Sequence, residues 1–108
     1  MAVDNLPEIL KVDGFDGCFV GHGDMSLVMG REYYGGPTVH PDVQALVDRA
    51  IDLTLEAGRL VMFVAPTGAE AAALARRGVQ LITMNFGALV RRACEAYFAE
   101  YRAARGTS

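Results

Sequence analysis

The sequence has no long basic stretch, and this absence limits the partners that the protein can bind. Of its 108 residues, 10 are lysine or arginine and 13 are aspartate or glutamate, which gives a formal net charge of −3. The longest basic runs are two pairs, Arg76 with Arg77 and Arg91 with Arg92. Nucleic acids and anionic membranes are bound through larger clusters of lysine and arginine, which displace counterions. We therefore expect no nucleic-acid partner and no membrane partner.

The chain also lacks the usual features of a secreted or membrane-inserted protein. Its two cysteines, Cys18 and Cys94, are far apart and do not form the close pairs typical of zinc sites or secreted disulfide frameworks. The amino terminus has neither a cationic segment nor an apolar one, and no apolar run is long enough to cross a bilayer. These absences predict reduced, buried thiols and a cytoplasmic location.

Apolar runs and amphipathic stretches alternate along the chain, as expected of an α/β fold. Hydrophobic residues make up 52% of the sequence, which is enough for a packed core. Short apolar runs predict three strands buried on both faces, at residues 18–20, 60–65 and 79–84. Helices are predicted at residues 5–12, 41–57, 67–78 and from about residue 87, and a glycine-rich loop at residues 21–36.

The predicted helices differ in how clearly their ends and faces are marked. Asn5 is expected to cap the first helix, and His40 to cap the second or to pack in the loop before it. Thr67 and Glu70 have the spacing of a capping box at the start of the third. The second helix has a predicted buried face formed by Val43, Val47, Ala50, Ile51 and Thr54. The last helix has an apolar face that requires a covering surface, formed by Val90, Cys94, Tyr97, Phe98 and Tyr101.

Strands that alternate with helices through short connections predict a parallel sheet with helices outside it. We assign the whole chain to one domain, with a lead-in at residues 1–15, three βα units at 16–105 and a flexible tail at 106–108. Three strands do not close a barrel. The two free edges and the uncovered sheet face predict association with more chain or with another subunit.

The unusual segment is Gly21, His22, Gly23 and Asp24, directly after the first strand. Two interpretations of Asp24 are open. It could cap a short helical turn at residues 25–28, or its carboxylate could bind a hard divalent cation such as Mg²⁺ or Mn²⁺. A cation normally needs another protein ligand, and none is evident nearby. His22 has likewise two readings: an acid, base or ligand, or a hydrogen-bonded positioning residue.

Residues 16–30, DGCFVGHGDMSLVMG, resemble a signature of the HpcH/HpaI aldolase and citrate lyase family, which reads DGVFIGPADLSASMG or a near variant. The resemblance continues through residues 40–43, HPDV, which are similar to the family's HPEV. Residues 58–65, GRLVMFVA, are similar to GKPVGILA. Nearly the whole chain is covered. The resemblance implies the carboxyl-terminal three βα units of a TIM (βα)8 barrel.

The resemblance also implies a chemistry. Family enzymes cleave 4-hydroxy-2-oxo acids or 2-keto-3-deoxy sugar acids to pyruvate and an aldehyde. Asp24 matches the metal-ligand aspartate; Mg²⁺, Mn²⁺ or Co²⁺ chelates the pyruvate oxygens and stabilises the enolate. The backbone amides of Gly23 and Asp24 match those that hold the pyruvate carboxylate, and Val64 matches an apolar position beside the aldehyde. The sequence departs from the family pattern at His22, Gly23 and Met25, so substrate preference is not carried over.

The resemblance further implies that several functional groups lie outside this sequence. The family's metal-ligand glutamate, catalytic arginine and histidine are on earlier strands. We therefore assign no catalytic residue here and expect a portion of an aldolase that is inactive alone. Its expected partners are a 2-oxo acid, and either further copies of the chain or the missing barrel half. Two alternatives remain: a non-catalytic partial-barrel module that oligomerises, and a citrate-lyase-like acyl-CoA lyase.

Overall fold

The computed structural model describes residues 2–106, so Thr107 and Ser108 of the predicted tail lie outside the described residues. Gly106, the first residue of that tail, ends the last helix in the left-handed conformation. The elements, in chain order, are α1 (Ala2–Ile9), β1 (Gly17–Val20), α2 (His22–Met29), a 3-10 turn (Arg31–Tyr33), α3 (Pro41–Glu56), β2 (Leu60–Val64), α4 (Gly68–Arg77), β3 (Leu81–Thr83) and α5 (Phe86–Arg105).

The three strands form one parallel sheet in the order β1-β2-β3. Val20 is paired with Phe63, and Phe63 with Ile82, so these three side chains stand in one row on the same face. Helices α2 and α3 connect the first two strands, and α4 connects the second and third. The predicted α/β class, with parallel strands and intervening helices, is confirmed.

The strands are not buried on both faces, although their apolar runs predict this, and one face of the sheet is uncovered, as expected of a sheet with three strands. The face that carries Val20 and Phe63 is buried under the helices. On the opposite face, Phe19 is 58% exposed, Leu60 43% and Leu81 47%. Since no described helix packs on this second face, the strands are apolar throughout but covered on only one side.

Helix α3 supplies the centre of the core, and its predicted face is confirmed in full. All five residues of that face are buried: Val43, Val47, Ala50, Ile51 and Thr54. The Thr54 hydroxyl is satisfied because it donates a hydrogen bond of 2.7 Å to the Ala50 carbonyl oxygen. Helix α1 packs against the same cluster through Val3 and Leu6, and Leu10, directly after the helix, belongs to it as well.

Several helix ends are fixed by the expected capping interactions. The His40 Nδ1 accepts a hydrogen bond of 3.1 Å from the Asp42 amide at the start of α3. The Thr67 Oγ1 accepts one of 3.2 Å from the Glu70 amide at the start of α4, which is the threonine half of the predicted capping box. At the start of α5, the Asn85 Oδ1 accepts from the Ala88 amide at 3.0 Å, and the helix begins at Phe86, one residue before the predicted start.

Two predicted boundaries are wrong because packing outweighs local signals. Helix α1 begins at Ala2, so Asn5 lies inside it and is not its cap. Burial of the apolar stripe against α3 continues the helix through Pro7. The predicted third strand shortens to residues 81–83, because Val79 is buried and its amide bonds to the Leu74 oxygen at the end of α4.

Residues 21–36 were expected to form a loop, and most of them are instead helical. Helix α2 occupies eight residues and is followed by the 3-10 turn. Ser26 is buried, and its hydroxyl donates a hydrogen bond of 2.8 Å to the His22 carbonyl oxygen. Met25 and Met29 pack against the core on the same side. These contacts stabilise a helix that the glycines of this segment do not favour.

Helix α5 leaves the body of the protein, which extends over 61 × 30 × 20 Å. All its residues from 89 to 105 are exposed, so the predicted apolar face is present but uncovered within residues 2–106. Both cysteines are free as predicted, but their predicted burial is wrong, since Cys18 is half-buried and Cys94 is exposed on this helix. No helix in the described range is long and apolar enough to cross a membrane.

Candidate functional site

Asp24 lies just beyond the carboxyl end of β1, in the first turn of α2. Its carboxylate folds back toward the strand: Oδ2 is 3.2 Å from the point where a Cβ on Gly21 would stand. The glycine therefore leaves room for the carboxylate at the end of the strand. A negative charge is also stabilised here by the unpaired amides at the amino end of the helix.

The capping interpretation of Asp24 is wrong. Gly21 is the residue that precedes α2, in an extended conformation, and no side chain accepts a hydrogen bond at this cap. Asp24 is the third residue of the helix and is exposed. Its role as a metal ligand stays a prediction.

The first amides of α2 are available to an anion. Met25 is the first residue whose amide bonds back to the Gly21 oxygen, at 3.3 Å. The amides of His22, Gly23 and Asp24 precede this bond, as the first amides of any helix do. Such a row of N–H groups is a general binding site for carboxylates and phosphates.

His22 is held in place by two contacts. Its Nε2 lies 3.0 Å from the Gln44 Oε1 on α3. Its ring meets the Phe63 ring edge-on, with 5.0 Å between centroids and an interplanar angle of 89°. Of the two readings of His22, these contacts favour a hydrogen-bonded positioning residue.

The hydrogen bond to Gln44 belongs to a polar network that the sequence did not predict, formed by His22, Gln44, Asp48, Asp52 and Arg77. The Gln44 Nε2 donates to the Asp48 Oδ1 at 3.1 Å, and the Arg77 Nη1 donates to the same oxygen at 2.6 Å. The Arg77 Nη2 donates to the Asp52 Oδ1 at 2.7 Å and to the Asp48 carbonyl oxygen at 3.0 Å. This polar network therefore connects the His22 ring to the end of α4.

The charge of Arg77 is fixed by this arrangement. The hydrogen bond to Asp52 is the largest cause that raises the pKa of Arg77 above its ordinary value; burial opposes the shift, and Asp48 adds to it. The sequence contains one signal for the polar network. Gln44, Asp48 and Asp52 are spaced four residues apart, which places them on one face of α3.

A cleft of about 640 Å³ lies between α3 and α4, beside this polar network. Its walls include five apolar residues of the sheet and helices, namely Val20, Val47, Ile51, Phe63 and Leu74. Two of the predicted substrate-binding residues, Gly23 and Val64, also line it, together with His22. Asp24 is not among the lining residues, so the structure brings Gly23 and Val64 to one cleft and places the carboxylate outside it.

The described residues fit a metal ion only in part. A hard divalent cation prefers carboxylate oxygen, and Asp24 offers one at an exposed strand end. No group of three or more histidine, cysteine, aspartate or glutamate side chains within residues 2–106 is arranged to hold a metal. His22 does not extend the set through Nε2, which faces Gln44. Asp24 would therefore supply one ligand of a larger set.

Fold and site together define a class of protein. A carboxylate and free helix amides lie where a parallel strand ends, which is the position of ligand sites in barrels and open α/β sheets.

No protein-family model matches the chain. It is similar to the 4-hydroxy-2-oxo-heptane-1,7-dioate aldolase of Klebsiella pneumoniae, with 48% identity over 58 residues that span 54% of this chain and 21% of that protein. The same values hold for the aldolase of that name from Shigella sonnei.

Solved structures agree. A HpcH/HpaI aldolase/citrate lyase family protein from Burkholderia cenocepacia superposes with a TM-score of 0.79 and 29% identity, over 93% of this chain and 38% of the other. The citrate synthase SbnG superposes with a TM-score of 0.81, over 97% of this chain and 42% of the other, and at 19% identity it shows the fold alone. The resemblance predicted from residues 16–30 is confirmed: the chain is similar to HpcH/HpaI aldolases, and the similarity spans a fifth to two fifths of their length.

Proposed function

We propose that the chain forms the carboxyl-terminal three βα units of a (βα)8 barrel aldolase that depends on a divalent metal ion, with Asp24 as one metal ligand. The observation that carries the proposal is the position of Asp24, exposed and directly beyond the carboxyl end of a parallel strand. The similarity to 4-hydroxy-2-oxo-heptane-1,7-dioate aldolases gives the reaction class: cleavage of a 4-hydroxy-2-oxo acid to pyruvate and an aldehyde.

The uncovered face of the sheet supports a barrel that is completed by further strands. Phe19, Leu60 and Leu81 are exposed there although they are large and apolar. In a closed barrel this face points inward and is filled by side chains from the other strands. The larger size of the structural relative from Burkholderia cenocepacia, of which the chain covers 38%, fits this arrangement.

Each residue of the site has a physical role in the proposal. When bound, Mg²⁺, Mn²⁺ or Co²⁺ would supply Lewis acidity at the oxo acid. The Asp24 carboxylate would hold the ion, and the amides of Gly23 and Asp24 would hold the carboxylate of the oxo acid. Val64, half-buried at the end of β2, would form an apolar wall on the aldehyde side.

The metal role of Asp24 is tested by titrating the purified chain with Mn²⁺ and measuring free Mn²⁺ by electron paramagnetic resonance. We expect weak binding that Asp24→Asn abolishes. The matched control is Asp16→Asn, which removes the same charge from an exposed residue just before the opposite end of β1. Equal binding by the wild type and Asp24→Asn would contradict the proposed metal ligand.

The incomplete ligand set gives an expectation for activity. The purified chain with Mn²⁺ should release no pyruvate from a 4-hydroxy-2-oxo acid, because Asp24 alone does not fill the coordination sphere of the ion. Pyruvate is measured through a coupled dehydrogenase. Turnover that is lost in Asp24→Asn would show that the chain assembles a complete site by itself.

A second candidate function is assembly. The exposed apolar residues of α5 include Val90, Tyr97, Phe98 and Tyr101. Contiguous patches of this kind usually mark interaction surfaces. In this alternative the chain is a non-catalytic module that associates through α5 and the open sheet face. Light scattering after size-exclusion chromatography distinguishes the two functions when it is combined with the Mn²⁺ titration, because a module that only assembles oligomerises without binding metal at Asp24.

A further inference from the structure

The orientation of the Gln44 side-chain amide is fixed by the groups at its two ends. Its amide nitrogen faces the Asp48 Oδ1 at 3.1 Å. A carboxylate accepts hydrogen bonds and donates none, so only the NH₂ end of the amide can face it. The Arg77 Nη1 donates to the same Asp48 oxygen at 2.6 Å and holds that carboxylate in place. The other end of the amide, Oε1, must then face His22.

This orientation determines the state of the His22 ring. The Gln44 Oε1 accepts hydrogen bonds and donates none, and it lies 3.0 Å from the His22 Nε2. The hydrogen bond therefore needs a proton on Nε2. In a neutral imidazole only one nitrogen carries a proton, so Nδ1 is left as the acceptor.

We propose that Gln44 is a positioning residue, which with Asp48 and Arg77 holds His22 as the Nε2–H tautomer, so that Nδ1 serves as a hydrogen-bond acceptor. The class of ligand that Nδ1 takes is a hydrogen-bond donor, such as the hydroxyl group of a hydroxy acid. The identity of that ligand rests on the proposed function. The state of the ring does not, because it follows from contacts within the metal-free chain.

The edge-on contact with Phe63 supports the same conclusion. The Phe63 ring is buried and fixes the plane of the imidazole at 89° to its own. A ring that is held both by an edge contact and by a hydrogen bond at Nε2 is not free to turn over. The geometry thus limits which ring atom is available, as well as which atom is protonated.

The test is NMR of the metal-free chain with isotope-labelled histidine, at about pH 8, where histidine side chains are ordinarily neutral. The chain has two histidines, and His40 is an internal reference. Its Nδ1 accepts from the Asp42 amide, so it too is expected as the Nε2–H tautomer. The readouts are the imidazole nitrogen shifts and the Hε2 proton of His22, which a hydrogen bond protects from exchange with water.

Four variants separate a positioning role from a structural one. Gln44→Met removes the acceptor, and we expect loss of the His22 Hε2 resonance while His40 is unchanged. Gln44→Glu keeps an acceptor oxygen and should retain it. Asp48→Ala removes the acceptor that orients the Gln44 amide and should cause loss, whereas Asp52→Ala, which also removes a partner of Arg77, should not.

The proposal is overturned by either of two results. If the Hε2 resonance persists in Gln44→Met, another group holds the ring. If Asp52→Ala acts as strongly as Asp48→Ala, the orientation of Gln44 does not depend on Asp48. Neither result bears on Asp24, whose metal role is measured separately by the Mn²⁺ titration. Failure of that titration would in turn leave the tautomer result standing.

Discussion

Replacing a valine in two different helices tests which surface of this chain is its core. Val47 in α3 is 0% exposed and belongs to the hydrophobic core, whereas Val28 in α2 is 67% exposed. The change Val→Ala removes the same atoms at both positions. A difference in stability between the two variants therefore reports burial and not chemistry.

The expected magnitudes follow from that burial. At Val47 the change removes roughly two buried carbon groups at about 0.8 kcal/mol each and leaves a small cavity, so we expect a loss of about 2 to 3 kcal/mol. At Val28 little burial is lost, and alanine has the higher helix propensity, so the free energy of unfolding should change by less than about 0.5 kcal/mol.

The assay is urea unfolding followed by circular dichroism, with thermal unfolding as a second measure. For a domain of this size, a loss of about 2 kcal/mol lowers Tm by about 8 to 16 °C. Equal effects of Val47→Ala and Val28→Ala, or no measurable effect of Val47→Ala, would refute a core centred on α3.

Three further predictions follow from other contacts. A Cβ at Gly17 would stand within 3 Å of Leu60 backbone atoms, whereas a Cβ at Gly68 would meet no atom within 4 Å. Gly17→Ala should therefore lower the urea midpoint of unfolding far more than Gly68→Ala does. Equal midpoints for the two variants would contradict the β1–β2 register. Arg77→Met removes two half-exposed ion pairs and should cost about 0 to 2 kcal/mol in urea unfolding, with the difference from wild type shrinking in high salt. If α5 mediates assembly, the double change Tyr97→Ser and Phe98→Ser should lower the mass found by light scattering, and an unchanged oligomer would exclude this face.

Sequence reasoning succeeded where a local pattern and the tertiary environment agree. The face of α3 was predicted from apolar spacing alone, and every residue of it is buried. His40 and Thr67 were predicted near helix starts, and both accept a backbone amide there. These interactions are local, since each partner lies within three residues of the cap.

The failures share a different cause, which is contact between distant segments. Helix α1 continues through Pro7 because its stripe packs on α3, and α2 forms among glycines because Ser26 and the nearby methionines face the core. No local signal encodes either contact. The apolar runs alone do not show how many sides of the strands are covered, because a run such as residues 60–65 is equally apolar whether or not a second layer covers it. The uncovered face was expected instead from the number of strands, since three do not close a barrel.

The candidate site was predictable in part. The position of Asp24 beyond a strand was inferred from the sequence, and the structure places it there. The polar network from His22 through Gln44 to Arg77 was not inferred, because its partners are distant in sequence. His22 and Gln44 are separated by 22 positions, and Asp48 and Arg77 by 29. The metal role of Asp24, and the substrate roles of Gly23 and Val64, stay predictions.

The central claim is that a divalent ion is held at the carboxyl end of β1 by Asp24. The most direct measurement is paramagnetic broadening of backbone amide resonances by sub-stoichiometric Mn²⁺. We expect broadening centred on residues 21–25 that disappears in Asp24→Asn and persists in Asp16→Asn. Broadening centred elsewhere, or unchanged in Asp24→Asn, would contradict it.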